Sequence, residues 1–280
     1  MITTGGRFPG PGDFVGAYQP RGPDATEGAQ STYDGSIAVT LLDRDLVESV
    51  LPEGFHLAVR TDGANDHLVI LLIGHQRAPL ALHNGATQKI PDAHDYQEMI
   101  LLVPFVLHGS GTKWHTFVVR MYLDDFGAIG IGNTVYAYAK DVADLTENGT
   151  RDHLTTQVAP FLRGTYFGSD VMVTGPWRSS DDAQASIPRW RDLQAIFKMP
   201  LVGIDVVNGT VVRRVCSYWE WDYTQAQIAP AISRHRFYQS FREGMDDWVT
   251  LGPLTSALDG AVVLRRLRWR LALPPPPCRF

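Results

Sequence analysis

Lys140 closes a run, residues 121–141, in which apolar and aromatic side chains lead up to a single amine. Burial disfavours an ammonium ion, so a lysine drawn out of water shifts towards its neutral, nucleophilic form. Such an amine condenses with a ketone to give a Schiff base. The same pattern also describes an ordinary solvated lysine at the end of an element, and residue types alone leave both readings open.

Glu98 is a lone acid opening the strongly apolar stretch 99–107. On its own it reads as a solvated carboxylate at a strand end. If residues 134–140 are extended, Thr134, Tyr136, Tyr138 and Lys140 share one face and Asp141 points away. His94 and Glu98 are spaced to chelate a metal only on a helix, and their segment does not have a helical pattern. No metal site or cofactor is expected, and His83, His108 and His115 are uninformative. Gly130-Ile131-Gly132 lacks the third glycine of a dinucleotide fingerprint.

The elements that must position these groups read mainly as strands. Strands are expected at 36–42, 67–74, 96–107, 116–123, 161–167, 170–174, 218–223 and 261–273. Asn208-Gly209 between two β-branched runs, 204–207 and 210–215, is a strong hairpin signal. Asp43 is placed to cap a short helix over 44–50, and 232–248 reads as a second helix. Trp219, Trp221 and Tyr223 alternate with Glu220 and Asp222, and Leu267, Trp269 and Leu271 with Arg266, Arg268 and Arg270, as in strands with one packed and one wet face. Together these predict an α+β chain, predominantly antiparallel β, curled or closed into a β-barrel with a few short helices. Residues 1–30, rich in Gly and Pro, read as an N-terminal arm, extended against a neighbouring subunit or disordered, and 31–280 as a single domain.

At 280 residues, a net charge of −5 and a sequence pI near 6.0, the chain lacks the basic surplus of a nucleic-acid binder. Its apolar runs are too short to span a bilayer. Cys216 and Cys278 lie far apart and suggest neither a disulfide framework nor a metal cluster, so a cytoplasmic location is the expectation.

Met121, Tyr122, Leu123, Asp124, Ala128, Ile129, Gly132, Tyr138 and Lys140 align without a gap to the catalytic-lysine segment of the acetoacetate decarboxylase family, which this stretch resembles. Tyr96-Gln97-Glu98 before its apolar strand is similar to the family's active-site glutamate segment, at about the family's separation from the lysine. The resemblance covers roughly 33–273 and is strongest over 96–140. It implies a cone-like β-barrel, a homo-oligomer and a carboxy-lyase that decarboxylates a small β-keto acid through an imine on Lys140. Glu98 would orient substrate or move protons, and Tyr136 and Tyr138 would wall the substrate pocket. The departures touch the chemistry. The family's Gly-Arg-Glu is Gly132-Asn133-Thr134, its proline is Ala139 and its second lysine is Asp141. Its early arginine is missing around Ser31–Asp34, and its strand carboxylate is missing near Leu71 and Leu72. A related aldolase or dehydratase acting on a 2-keto acid, and a catalytically silent binder of a small apolar carboxylate or carbonyl compound, are the alternative readings.

Overall fold

A computed structural model of the chain describes residues 8–19, 25–91, 93–160, 164–207, 210–240, 244–257 and 260–280. The first half supplies β1 (Gly28–Asp43), α1 (Arg44–Glu48), β2 (Phe55–Leu57), β3 (Asp66–His83), β4 (Ala86–Lys89), β5 (Tyr96–His108) and β6 (His115–Leu123). Helix α2 (Phe126–Tyr136) then leads into β7 (Lys140–Thr150), followed by β8 (His153–Pro160), β9 (Phe167–Val173) and β10 (Arg178–Ser179). Next come α3 (Ser180–Ser186), α4 (Trp190–Ile196), β11 (Leu201–Val207), β12 (Thr210–Ser217) and β13 (Trp219–Asp222). The chain ends with β14 (Gln227–Phe237), α5 (Asp246–Thr250), β15 (Leu254–Thr255) and β16 (Ala261–Ala272).

Among the described residues, nine strands pair in a ring: β6, β7, β8, β9, β14, β16, β1, β3 and β5, with β5 meeting β6 again. The pairings are antiparallel except β6 with β7 and β6 with β11. The architecture is therefore the expected α+β, mainly antiparallel, curled sheet. Strand β5 shows why its sequence is apolar throughout. Ile100 and Leu102 enter one core cluster and Met99, Leu101 and Val103 another, so both faces of the sheet are covered. Among the described residues no helix is long and apolar enough to cross a membrane.

Three expectations change. Residues 232–248 are not one helix: β14 buries Ser233, His235 and Phe237 and exposes Ile232, Arg234 and Arg236, a period of two, and only α5 is helical. The extended reading of 134–140 fails because α2 runs through Tyr136; Thr134 is exposed and bonds back to the Gly130 carbonyl at 2.6 Å. Cys216 and Cys278 form a disulfide, 62 residues apart in sequence, because β12 and the C-terminal tail meet in space. Sequence separation says nothing about such an approach. A paired bridge is uncommon in a reducing cytosol, so cysteine spacing no longer supports that compartment. The hairpin strands β11 and β12 pair as expected, while Asn208-Gly209 lies outside the described residues, as does the start of the 161–167 stretch.

Within the Gly/Pro-rich segment, residues 8–19 lie against this chain. Phe8 and Phe14 are buried, and Phe14 stacks on Phe105 with ring centres 4.1 Å apart. Strand β1 begins at Gly28, inside the same segment.

The disulfide anchors a tail whose Phe280 ring lies 4.4 Å from His108 and 5.0 Å from His115. In a loop-entropy view, releasing a 62-residue closure costs about 4 kcal/mol. Reduction, verified by thiol labelling, is expected to lower Tm by on the order of 10 °C in calorimetry. An unchanged Tm in the reduced protein would show that the bridge contributes nothing to stability.

Candidate active site

Strand register brings Glu98 and Lys140 together. Glu98 on β5 lies opposite Leu123 of β6, and Lys140 at the start of β7 lies opposite Met121 of the same strand. Positions 121 and 123 share a face, so the two charged side chains flank β6 on one side of the sheet. Asp141, one residue on, faces the other way and pairs with Arg120.

The helix before Lys140 forms despite Gly127, Gly130 and Gly132, each unfavourable to a helix interior. Its ends are secured from outside. Asp125 Oδ1 accepts the Ala128 N–H at 2.6 Å, an N-cap. At the far end Ala137 turns left-handed (φ 52°), and Arg213 donates to the Asn133 and Thr134 carbonyls at 3.0 and 2.7 Å. Asn133 then fixes the lysine backbone from both sides: its Nδ2 donates to the Lys140 carbonyl at 2.9 Å, and its Oδ1 accepts the Lys140 N–H at 2.8 Å.

Gly132 explains why a glycine is kept in that helix. A Cβ there would sit inside van der Waals contact of Lys140 Cδ and Cε and 2.9 Å from Nζ. Gly132→Ala is therefore expected to displace the lysine and lower imine formation roughly 100-fold with the circular dichroism spectrum retained. Wild-type trapping of a keto acid by the variant would show that the lysine position tolerates the methyl group.

Lys140 is half-buried and lines a cavity of about 430 Å³. Burial pushes its pKa down, opposed by the negative charges of Glu98 and Asp125. Asp141 is not among the charges acting on it. Nζ donates to the Ala128 carbonyl at 3.3 Å. Glu98 is 3% exposed, and burial raises its pKa, opposed by Lys140 and by a hydrogen bond from Gln76. Trp269 Nε1 in turn donates to Gln76 Oε1 at 2.7 Å, which orients the amide so that its NH₂ faces the carboxyl group. The site thus holds an amine and an acid that burial drives towards their neutral forms, the pairing needed for addition to a carbonyl and proton transfer.

Tyr136 and Tyr138 both line the cavity. Their hydroxyls are engaged elsewhere, Tyr136 donating to the Ala272 carbonyl at 2.7 Å and Tyr138 bonding Ser217 Oγ. Burial raises both phenol pKa values, so both stay protonated and form walls. Gly203 allows this packing, since a Cβ there would strike the Tyr136 carbonyl. At the mouth, His94 Nε2 lies 3.2 Å from Asp125 Oδ2, and among the described residues no group of three or more His, Cys, Asp or Glu could hold a metal.

No family model matches the sequence, and no curated protein matches it. Solved structures do. The acetoacetate decarboxylase of Legionella pneumophila is 13% identical, with a TM-score of 0.58 over 91% of this chain and 89% of that one. The chain has the acetoacetate decarboxylase-like fold. The same fold is seen in the enduracididine biosynthesis enzyme MppR complexed with pyruvate, at 14% identity and a TM-score of 0.58 over 92% and 95% of the two chains. It is seen too in an acetoacetate decarboxylase-like enzyme of Sphingomonas wittichii RW1, at 15% identity and a TM-score of 0.55 over 92% and 97%. Within this acetoacetate decarboxylase-like chain, sequence reasoning singled out Lys140, Glu98, Tyr136 and Tyr138, and all four are near one cavity or its floor. It missed Gln76, Trp269, Asn133 and Asp125. Gln76 had a faint signal, a polar residue two past the apolar run of β3, on the same face as Gly74 opposite Glu98.

Proposed function

We propose that this protein is a Schiff-base-forming carboxy-lyase that decarboxylates a β-keto acid on Lys140. The observation that carries the reading is the amine itself, lowered in pKa by burial and opening into an apolar cavity beside a buried acid. Neutral Lys140 Nζ adds to the ketone carbon, and loss of water gives a protonated imine. The bond from the α-carbon to the carboxylate breaks, its electron pair moves to the iminium nitrogen, and carbon dioxide leaves. Protonation of the enamine carbon and hydrolysis release the ketone and regenerate the amine. Glu98, held by Gln76, supplies and recovers protons at carbinolamine and enamine.

Fold likeness to MppR, seen with pyruvate, favours a second reading, a 2-keto acid aldolase or dehydratase. Such chemistry retains the substrate carboxylate and needs a cation to hold it. Among the described residues lining the cavity, only Lys140 and His94 can carry positive charge, and His94 is paired with Asp125. A carboxylate that departs as carbon dioxide has no such need, and apolar surroundings disfavour its charged ground state. Supplying β-keto acids and 2-keto acids in parallel and assaying carbon dioxide separates the two. Gas release above the spontaneous rate from the β-keto acids supports the lyase; aldol or dehydration products from the 2-keto acids, without gas, support the second reading. Reversible binding without either product would mark a silent binder.

A further inference from the structure

We infer that the preferred substrate is a β-keto acid carrying an extended apolar substituent, alkyl or aryl, on the side of the ketone away from the carboxylate, an inference that rests on the imine chemistry of Lys140 proposed above. Size is the first observation. The cavity of about 430 Å³ falls in the range, roughly 300–1,000 Å³, of pockets that enclose drug-sized molecules, several times the bulk of a four-carbon keto acid. A small substrate would leave most of this volume to water, against walls that offer it few partners.

The character of the walls is the second. Away from Lys140 the lining is Ile90, Pro91, Phe126, Ile131 and Leu271, with no side chain among these able to hydrogen-bond. Phe126 and Ile131 project from α2 at the cavity and are 76% and 54% exposed, and Phe126 is the most exposed large hydrophobic residue among those described. Nothing in the chain covers them. A ligand whose reactive ketone reaches Lys140 and whose tail runs out along α2 would take both out of water.

Burial of each added methylene then gains about three- to fourfold in affinity until the tail clears Ile131. The atoms of the reaction are unchanged: one carbon–carbon bond breaks, carbon dioxide leaves, and one proton from solvent by way of Glu98 ends on the carbon it left. The apolar tail changes only how tightly ketone and amine are held together.

The test is a homologous series of linear β-keto acids from acetoacetate upward, read as kcat/KM for carbon dioxide release in the wild-type protein and in Phe126→Ala. The expected result is a rise of about three- to fourfold per methylene over several carbons, with a flatter slope in the variant. A flat or falling series in the wild-type protein overturns the inference. If no member releases gas, the decarboxylase reading fails by itself, and the inference is read from borohydride trapping of the matching methyl ketones on Lys140. Half-saturation that falls with chain length upholds an apolar-tail site, and half-saturation independent of chain length rejects it.

Discussion

Lys140→Ala is expected to abolish carbon dioxide release, a loss of about 10⁴-fold or more, because no other described residue in the cavity carries an amine. The fold should survive. Lys140 contributes its backbone to Asn133 and to β6 and β7, and these contacts do not depend on its ammonium group. Stability carries a second signature. Burial lowers the lysine pKa in the folded state, so the stabilisation it supplies is full only above the pKa of an unfolded lysine and is lost as pH falls through its folded value. Replacing it by alanine removes that penalty at neutral pH, and Tm should stay near wild type. Turnover within tenfold of wild type would remove the lysine from the chemistry.

Glu98→Gln is expected to slow turnover by about 10²- to 10⁴-fold, the range for loss of a positioned acid–base group, while KM changes little. Its pH profile distinguishes this role from a structural one. The Glu98 charge raises the Lys140 pKa against burial, so its removal lets the amine deprotonate at lower pH. The acidic limb of the rate profile should therefore move down. The carboxyl pKa of Glu98 is raised in the folded state, so its stabilising contribution is full below the pKa of an unfolded glutamate and is lost as pH rises through the elevated value. A neutral isostere carries no such loss, and Glu98→Gln should be no less stable than wild type at neutral pH. A lowered rate with an unmoved acidic limb would assign Glu98 a role independent of the amine.

Much of the sheet was readable because its strands follow simple periods. The continuous apolar runs at 67–74 and 99–107 became strands covered on both faces, and Trp219, Trp221 and Tyr223 fell on one side of β13 and the residue beyond it, as alternation requires. Asp43 caps α1 as its position suggested. Helix α2 was not readable from propensity, since its three glycines argue against it and the groups that hold it, Arg213 and Asp125, are distant in sequence or outside the helix. Residues 232–248 failed for the opposite reason: a mixed polar and aromatic composition hid a clear two-residue period in 228–237. Lys140 stood out by its position after an apolar run. Glu98 did not, because nothing local distinguishes a buried carboxyl group from a wet one; its burial depends on Gln76 and Trp269, 22 and 171 positions away (98 − 76 and 269 − 98). Asp141, a concern for the amine when read in sequence, is harmless in space because strand alternation turns it to Arg120.

Borohydride reduction in the presence of a β-keto acid, followed by peptide mass mapping, asks most directly whether this amine becomes an imine. The expected product is one secondary amine, on the peptide that contains Lys140, absent from Lys140→Ala and blocked by omitting the keto acid. An unmodified Lys140 peptide, recovered from protein that is releasing carbon dioxide, would contradict covalent catalysis at this residue.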